Sequence, residues 1–174
     1  MSPAPSKSQL VILDAGIVIE AFRTNSWPAL IQRYAIVLSR TVVGEALFYK
    51  DASGTRVPIK LEPYELAGQI SVIDIPVAEL DGFLKQFDPT YIERLHAGEL
   101  ESLCYLLNHT GAAGQISSAD SIVFKVLGKL RISDRGVSLE ELLRAIGAPK
   151  PLAEKYTKTF RERWSREGFS DSFQ

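Results

Sequence analysis

Apolar and polar positions follow two periods along this chain, and the switches between them mark its elements. Residues 10–13 form an unbroken apolar run, Leu-Val-Ile-Leu, that ends on Asp14 and is turned by Gly16. A short continuous run of this kind predicts a strand buried on both faces, as in a parallel sheet. Residues 17–22 and 27–34 carry helical spacing, broken between positions 24 and 28. Residues 35–38 predict a second buried strand, with Ser39-Arg-Thr41 as the N-cap region of a helix running over 42–49. Gly54 and Pro58 mark 51–60 as a loop or small hairpin. Residues 70–75 alternate up to Pro76 and predict a third strand. Helices are expected over 77–87 and from Gly98 to Asn108, the second with Leu100, Leu103, Cys104 and Leu107 on one face. A weak strand over 115–118, a helix opening near Asp120, a final strand over 131–133 and a helix over 139–146 stopped by Gly147 complete the series.

Strands that alternate with helices at these lengths predict βαβ units. The expected class is α/β, a three-layer α/β/α fold with a central parallel sheet. Residues 1–8 are expected to be a disordered N-terminus, 9–148 one domain, and 149–174 a C-terminal helical extension. In that extension Tyr156, Phe160 and Trp164 recur at i, i+4 and i+8. On one helix they make an aromatic stripe, expected to dock on the body, on a partner protein or on a second copy in a homodimer.

Composition narrows the options modestly. A chain of 174 residues with 45% hydrophobic content has enough apolar material for one real core. A net charge of −1 gives no global sign of a nucleic-acid partner, although a local basic stripe is compatible with it. The single cysteine, Cys104, excludes an internal disulfide and any cysteine-rich zinc site, and reads as a buried packing residue. No run approaches the roughly 18–20 apolar residues of a membrane span. The polar opening residues lack the apolar core of a signal peptide, so a cytoplasmic location with no membrane contact is expected. Walker, dinucleotide, G-x-S-x-G and H-E-x-x-H patterns are missing, and His96 and His109 read as surface or helix-end residues.

Four acids fall at element ends. Asp14 closes the first strand, Glu45 lies in the helix after the second, Glu99 opens the long helix, and Asp120 stands where the fourth strand gives way to a helix. If the sheet is parallel, all four lie on its carboxyl edge, where ligands bind in open α/β sheets. Such a cluster repels itself unless cations occupy it, and hard oxygen ligands suit Mg²⁺ or Mn²⁺. Ions held there activate water and stabilise a leaving oxygen at a phosphodiester. Each acid also has a local explanation: Asp14 as a turn cap, Glu99 and Asp120 as complements to helix dipoles, Glu45 as a solvent-facing residue. Glu101, two positions from Glu99, is expected to point to another side of the helix.

Four blocks together resemble the PIN-domain family of ribonucleases, which includes VapC-type toxins. They are Val-Ile-Leu-Asp14-Ala-Gly-Ile-Val-Ile, Ser39-Arg-Thr-Val-Val-Gly-Glu45-Ala, His96-Ala-Gly-Glu99-Leu-Glu-Ser-Leu, and Ile116-Ser-Ser118-Ala-Asp120. They span residues 10 to about 147 in the family's order. The resemblance implies a PIN-like domain over 9–148 and Asp14, Glu45, Glu99 and Asp120 as catalytic metal ligands. Ser118 would orient Asp120 or the attacking water. It further implies endonucleolytic cleavage of RNA with Mg²⁺ or Mn²⁺, as the toxin of a toxin–antitoxin pair controlled by a cognate antitoxin. Gly16 stands where many members carry Asn, Ser or Thr, and Ala119 and Ser121 flank the last acid where many carry another. Those departures leave open an RNA-binding or protein-interaction module with little cleavage activity.

Overall fold

The structure, a computed structural model, describes Lys7 and residues 9–172. The expectation for residues 1–8 lies outside these residues except at Lys7. The elements run β1 (Leu10–Leu13), α1 (Ala15–Arg23), α2 (Trp27–Arg33), β2 (Ala35–Ser39), α3 (Arg40–Glu45), β3 (Phe48–Lys50) and β4 (Arg56–Pro58). They continue with α4 (Glu62–Leu66), β5 (Ile70–Ile73), α5 (Val77–Leu84), α6 (Pro89–Ile92), α7 (Ala97–His109) and β6 (Gln115–Ser117). The last are α8 (Ser121–Lys129), α9 (Leu139–Ala145) and α10 (Lys158–Asp171).

Four strands form an all-parallel sheet in the order β5-β2-β1-β6, so the α/β/α class expected from the pattern is the observed one. The register pairs Val11 with Ile36 on one side and with Gln115 on the other. Because side chains alternate across a strand, β1 serves both faces. Val11 and Leu13 join Ile36 and Leu38 under a layer that includes Ile17, Val18, Leu30, Leu142 and Leu143 of α1, α2 and α9. Ile12, Val37 and Ile116 face the other way, onto Phe83, Leu103, Leu106, Val123 and Leu127 of α5, α7 and α8. Ile12 and Leu13 are fully buried, each contributing roughly 1.5–3 kcal/mol by removal from water.

Strand order reverses between β1 and β6. The connections from β1 lead outward through β2 to β5, whereas β6 returns to the opposite side of β1. The carboxyl ends of β1 and β6 therefore flank a topological switch point, the place where open parallel sheets form a crevice.

Several expectations are corrected. The helix after β2 stops at Glu45 instead of reaching residue 49, because Ala46 leaves helical geometry at φ −83°, ψ 63°. Phe48–Lys50 then pairs antiparallel with Arg56–Pro58. The hairpin's turn is held by Asp51, whose carboxylate accepts the Ser53 and Thr55 amides, with Gly54 at φ 82°. The helix expected over 77–87 ends at Leu84, and the short helices α4 and α6 were not anticipated. No strand forms at 131–133: Arg131 takes a positive φ of 60° and Ser133–Arg135 is a 3-10 turn. A single parallel bridge, Ile116 to Gly136, replaces the expected fifth strand.

The aromatic stripe divides. Thr157 caps α10 with its hydroxyl accepting from the Phe160 amide, so Tyr156 lies before the helix in a separate 3-10 turn. Tyr156 is buried with the α1 layer, while Phe160 and Trp164 pack on the α8 side. Helix α10 lies directly against α8, where Gly128 and Gly168 bring the two backbones together. A Cβ on Gly128 would overlap the Ser165 carbonyl, and one on Gly168 the Lys125 carbonyl. Arg161 adds a two-pronged ion pair to Glu141 of α9 at 2.7 and 2.8 Å.

Candidate functional site

Each acid reaches the switch point through a local backbone device. Asp14 is extended at φ −80°, ψ 170° and caps α1, its Oδ1 accepting the Ile17 amide at 2.8 Å. Its own amide donates to the Ser117 carbonyl at 3.1 Å, clamping the end of β1 to β6. Asp120 caps α8, with Oδ1 accepting from the Ile122 amide at 3.0 Å. Glu99 sits one turn into α7 and reaches back, Oε2 accepting the His96 amide at 3.0 Å. Three of the four acids therefore do serve as caps. Capping and convergence coincide here, because the caps are what aim the carboxylates.

Glu45 is different. It is the last residue of α3, exposed, and an acid at a helix C-terminus opposes the dipole. Among the described residues its carboxylate takes part in no hydrogen bond or ion pair. Nothing in the local fold calls for a carboxylate there.

Asp14, Glu45, Glu99 and Asp120 line one cleft together with Ala15, Gly16, Val42, His96 and Ala119. Its volume is about 220 Å³, below the roughly 300–1,000 Å³ of typical small-molecule pockets, and it suits ions and a phosphate group better than a large organic ligand. None of these lining residues is a lysine or arginine. Within it His96, Glu99 and Asp120 present one ligand atom each, all within 4.8 Å of one another, a group able to hold a metal ion. Asp14 and Glu45 belong to the cleft but not to this tight trio. His96 was overlooked because its partners stand at i+3 and in a remote segment, not at the i,i+4 spacing of helical metal motifs. Its position three residues before Glu99 was the available signal.

The electrostatics favour a cation. Burial pushes the Glu99 carboxyl up to about 7, against the hydrogen bond from the His96 amide, and the nearby Asp120 and Asp14 charges push it further. Glu99 is only 8% exposed, and its Oε1 has no hydrogen-bond donor among the described residues. The Asp14 carboxyl is also raised, chiefly by burial, although Ser118, Ile17 and Ala119 donate to it. A free carboxylate oxygen in a buried acidic cleft fits a divalent ion.

Ser118 is buried, and it works between residues. Its hydroxyl donates to Asp14 Oδ2 and accepts from the Asp120 amide at 3.0 Å, while the Ala119 amide also donates to Asp14 Oδ2 at 2.9 Å. Gly16 and Ala119 meet closely: a Cβ on Gly16 would lie 3.2 Å from that of Ala119. Glu101 does not line the cleft; its carboxylate accepts the Thr41 hydroxyl at 2.9 Å. Asp134 lies beside Gln115 at the amino end of β6, the opposite edge of the sheet. Among the described residues no helix is long and apolar enough to cross a membrane. The chain matches no family model, no curated protein and no solved structure.

Proposed function

We propose that this protein is a PIN-like, metal-dependent endoribonuclease of the cytoplasm, hydrolysing RNA phosphodiester bonds with Mg²⁺ or Mn²⁺ in the acidic cleft. In this reading it is the toxin of a toxin–antitoxin pair. The observation that carries the reading is the meeting of Asp14, Glu45, Glu99 and Asp120, from four remote segments, in one cleft at the switch point.

Glu99, Asp120 and His96 would hold the ion, and Glu45 lines the same cleft. Asp14 carries the second negative centre and is fixed by the donors Ser118, Ile17 and Ala119, so its position does not depend on the ion. An ion held there would supply a lowered pKa for water and countercharge for the phosphate. Without one, the four carboxylates of the cleft would repel an RNA backbone. Countercharge for that backbone stands on the hairpin after Glu45, where Lys50 pairs in register with Arg56 and Asp51 is consumed by its own turn.

The test is cleavage of structured RNA by the purified chain with Mn²⁺, with Mg²⁺ and with chelator, beside Asp14→Asn and Glu99→Gln. Metal-dependent cleavage lost in both variants supports the reading; cleavage that persists in chelator or in the variants refutes it. A second reading, an RNA-binding module with weak or no cleavage, is favoured by one feature. Both Asp14 oxygens already accept protein hydrogen bonds, and Gly16 adds no side chain to the cleft. RNA binding without cleavage under every metal condition would support it.

A further inference from the structure

The tight trio in the cleft is not an all-oxygen set. His96 precedes α7 with an extended backbone at φ −78°, ψ 161°, and its side chain is 78% exposed at the cleft rim. Its Nδ1 lies 3.8 Å from Glu99 Oε2. The local fold gives the ring one role, since the His96 side chain and the Glu99 carboxylate form a reciprocal capping box at the start of α7, but that role does not call for an imidazole. Ser, Thr, Asp and Asn are the favoured residues before a helix. The bond that Glu99 makes here uses the His96 backbone amide, which almost any residue supplies. An exposed imidazole contributes little burial either. What the ring also has is a nitrogen within 4.8 Å of a carboxylate oxygen of buried Glu99 and of one of Asp120.

From this geometry we infer that His96 is a nitrogen ligand that makes the cleft select a first-row transition ion, Mn²⁺ among them, over Mg²⁺. The inference rests on the reading of the cleft as a metal-dependent nuclease site. Mg²⁺ takes oxygen ligands in near-ideal octahedra and sheds water reluctantly. Imidazole is a borderline donor that suits later divalent ions, whose affinities for mixed nitrogen and oxygen sites rise along the series from Mn²⁺. Two carboxylates and one imidazole, with room left in the cleft for water and a phosphate oxygen, are a donor set of the second kind. His96 lies at the exposed rim, so its replacement leaves the core intact.

The metal-stripped full-length protein, His96→Ala and His96→Asp would be titrated separately with Mn²⁺ and Mg²⁺ by calorimetry. The Mn²⁺-loaded forms would also be read by pulsed electron paramagnetic resonance for nitrogen coupling. The wild type is expected to prefer Mn²⁺ and to show imidazole coupling. His96→Ala should lose the coupling and narrow the Mn²⁺ over Mg²⁺ preference about tenfold, within the range by which metal-site partners act. His96→Asp should restore Mg²⁺ binding without restoring the preference. A wild type lacking nitrogen coupling, or variants with unchanged preference, would overturn the role of His96 while leaving the metal site standing. A wild type that binds neither ion would overturn both.

Discussion

Gly98 and Glu45 meet where α7 crosses the end of α3: a Cβ built on Gly98 would sit 3.3 Å from Glu45 Oε2 and 3.0 Å from Val42 Cγ2. The missing side chain lets the third acidic segment approach the second. Gly98→Ala should therefore separate stability from binding. Helix propensity gains up to about 1 kcal/mol, offsetting the strain against buried Val42, so the unfolding midpoint should barely move. The displaced Glu45 should weaken metal binding and cleavage by about tenfold. Calorimetric titration and an RNA cleavage assay check this; a large loss of stability with intact metal affinity would contradict it.

The Glu99 carboxyl makes the metal-free protein pH-sensitive in a defined direction. Folded Glu99 titrates at about 7 against an ordinary 4.5, so the native state holds its proton more tightly than the unfolded chain. Its contribution to stability is fully present below pH 4.5 and is lost as pH rises through about 7. Urea unfolding of the metal-free protein across that window should show the wild type losing stability relative to Glu99→Gln. Divalent ion at pH 7 should release protons on binding, visible as a calorimetric heat that depends on the buffer.

Ser118→Ala removes the hydroxyl that bonds Asp14 and receives the Asp120 amide. Losing that donor leaves a buried carboxylate and a backbone amide under-satisfied, at about 1–3 kcal/mol. Cleavage should fall along with the denaturation midpoint. An unchanged midpoint would show that water replaces the hydroxyl in full.

Lys50→Glu with Arg56→Glu reverses the charge of the hairpin without touching the cleft. RNA affinity should fall, and the slope of log affinity against log salt should shrink by about 1.4, or 0.7 for each of two phosphate contacts on a single strand. Metal affinity should be unaffected. An unchanged salt slope would remove the hairpin from the RNA path.

At the α8–α10 contact, Gly128→Ala or Gly168→Ala would place a methyl inside a carbonyl of the facing helix. The helix-propensity gain of about 1 kcal/mol cannot offset backbone overlap, which must separate the helices and destabilise by about 3 kcal/mol or more. Thermal unfolding measures this directly. Asp120 caps α8, so displacing that helix should weaken metal binding as well as stability.

What could be read from the sequence depended on how far each signal extended. The run ending on Asp14 was legible because a strand buried on both faces has no polar position to confuse it. The helix after β2 was overextended because Leu47, Phe48 and Tyr49 continue an apolar spacing past Ala46, and three residues are too few for alternation to declare a strand. The stripe of Tyr156, Phe160 and Trp164 presupposed one continuous helix, which Thr157 interrupts with a cap. The four acids could be located because they sit at element ends. His96 offers only its place three residues before Glu99 as a signal, since its nearness to Asp120 exists only after β6 has paired with β1.

That pairing also sets an order in time. Ser118 and Asp14 stand 104 residues apart yet share a buried hydrogen bond, and β6 is the last strand of the sheet to leave a ribosome. A nascent chain that has released β1, β2 and β5 carries Asp14 and Glu45 without the wall that α7 and β6 supply. The cleft closes only when the residues from Asp14 through Asp120 have emerged. A chain aborted before β6 emerges therefore holds no assembled acidic cleft, and whatever that cleft does begins only after Ser118 has met Asp14.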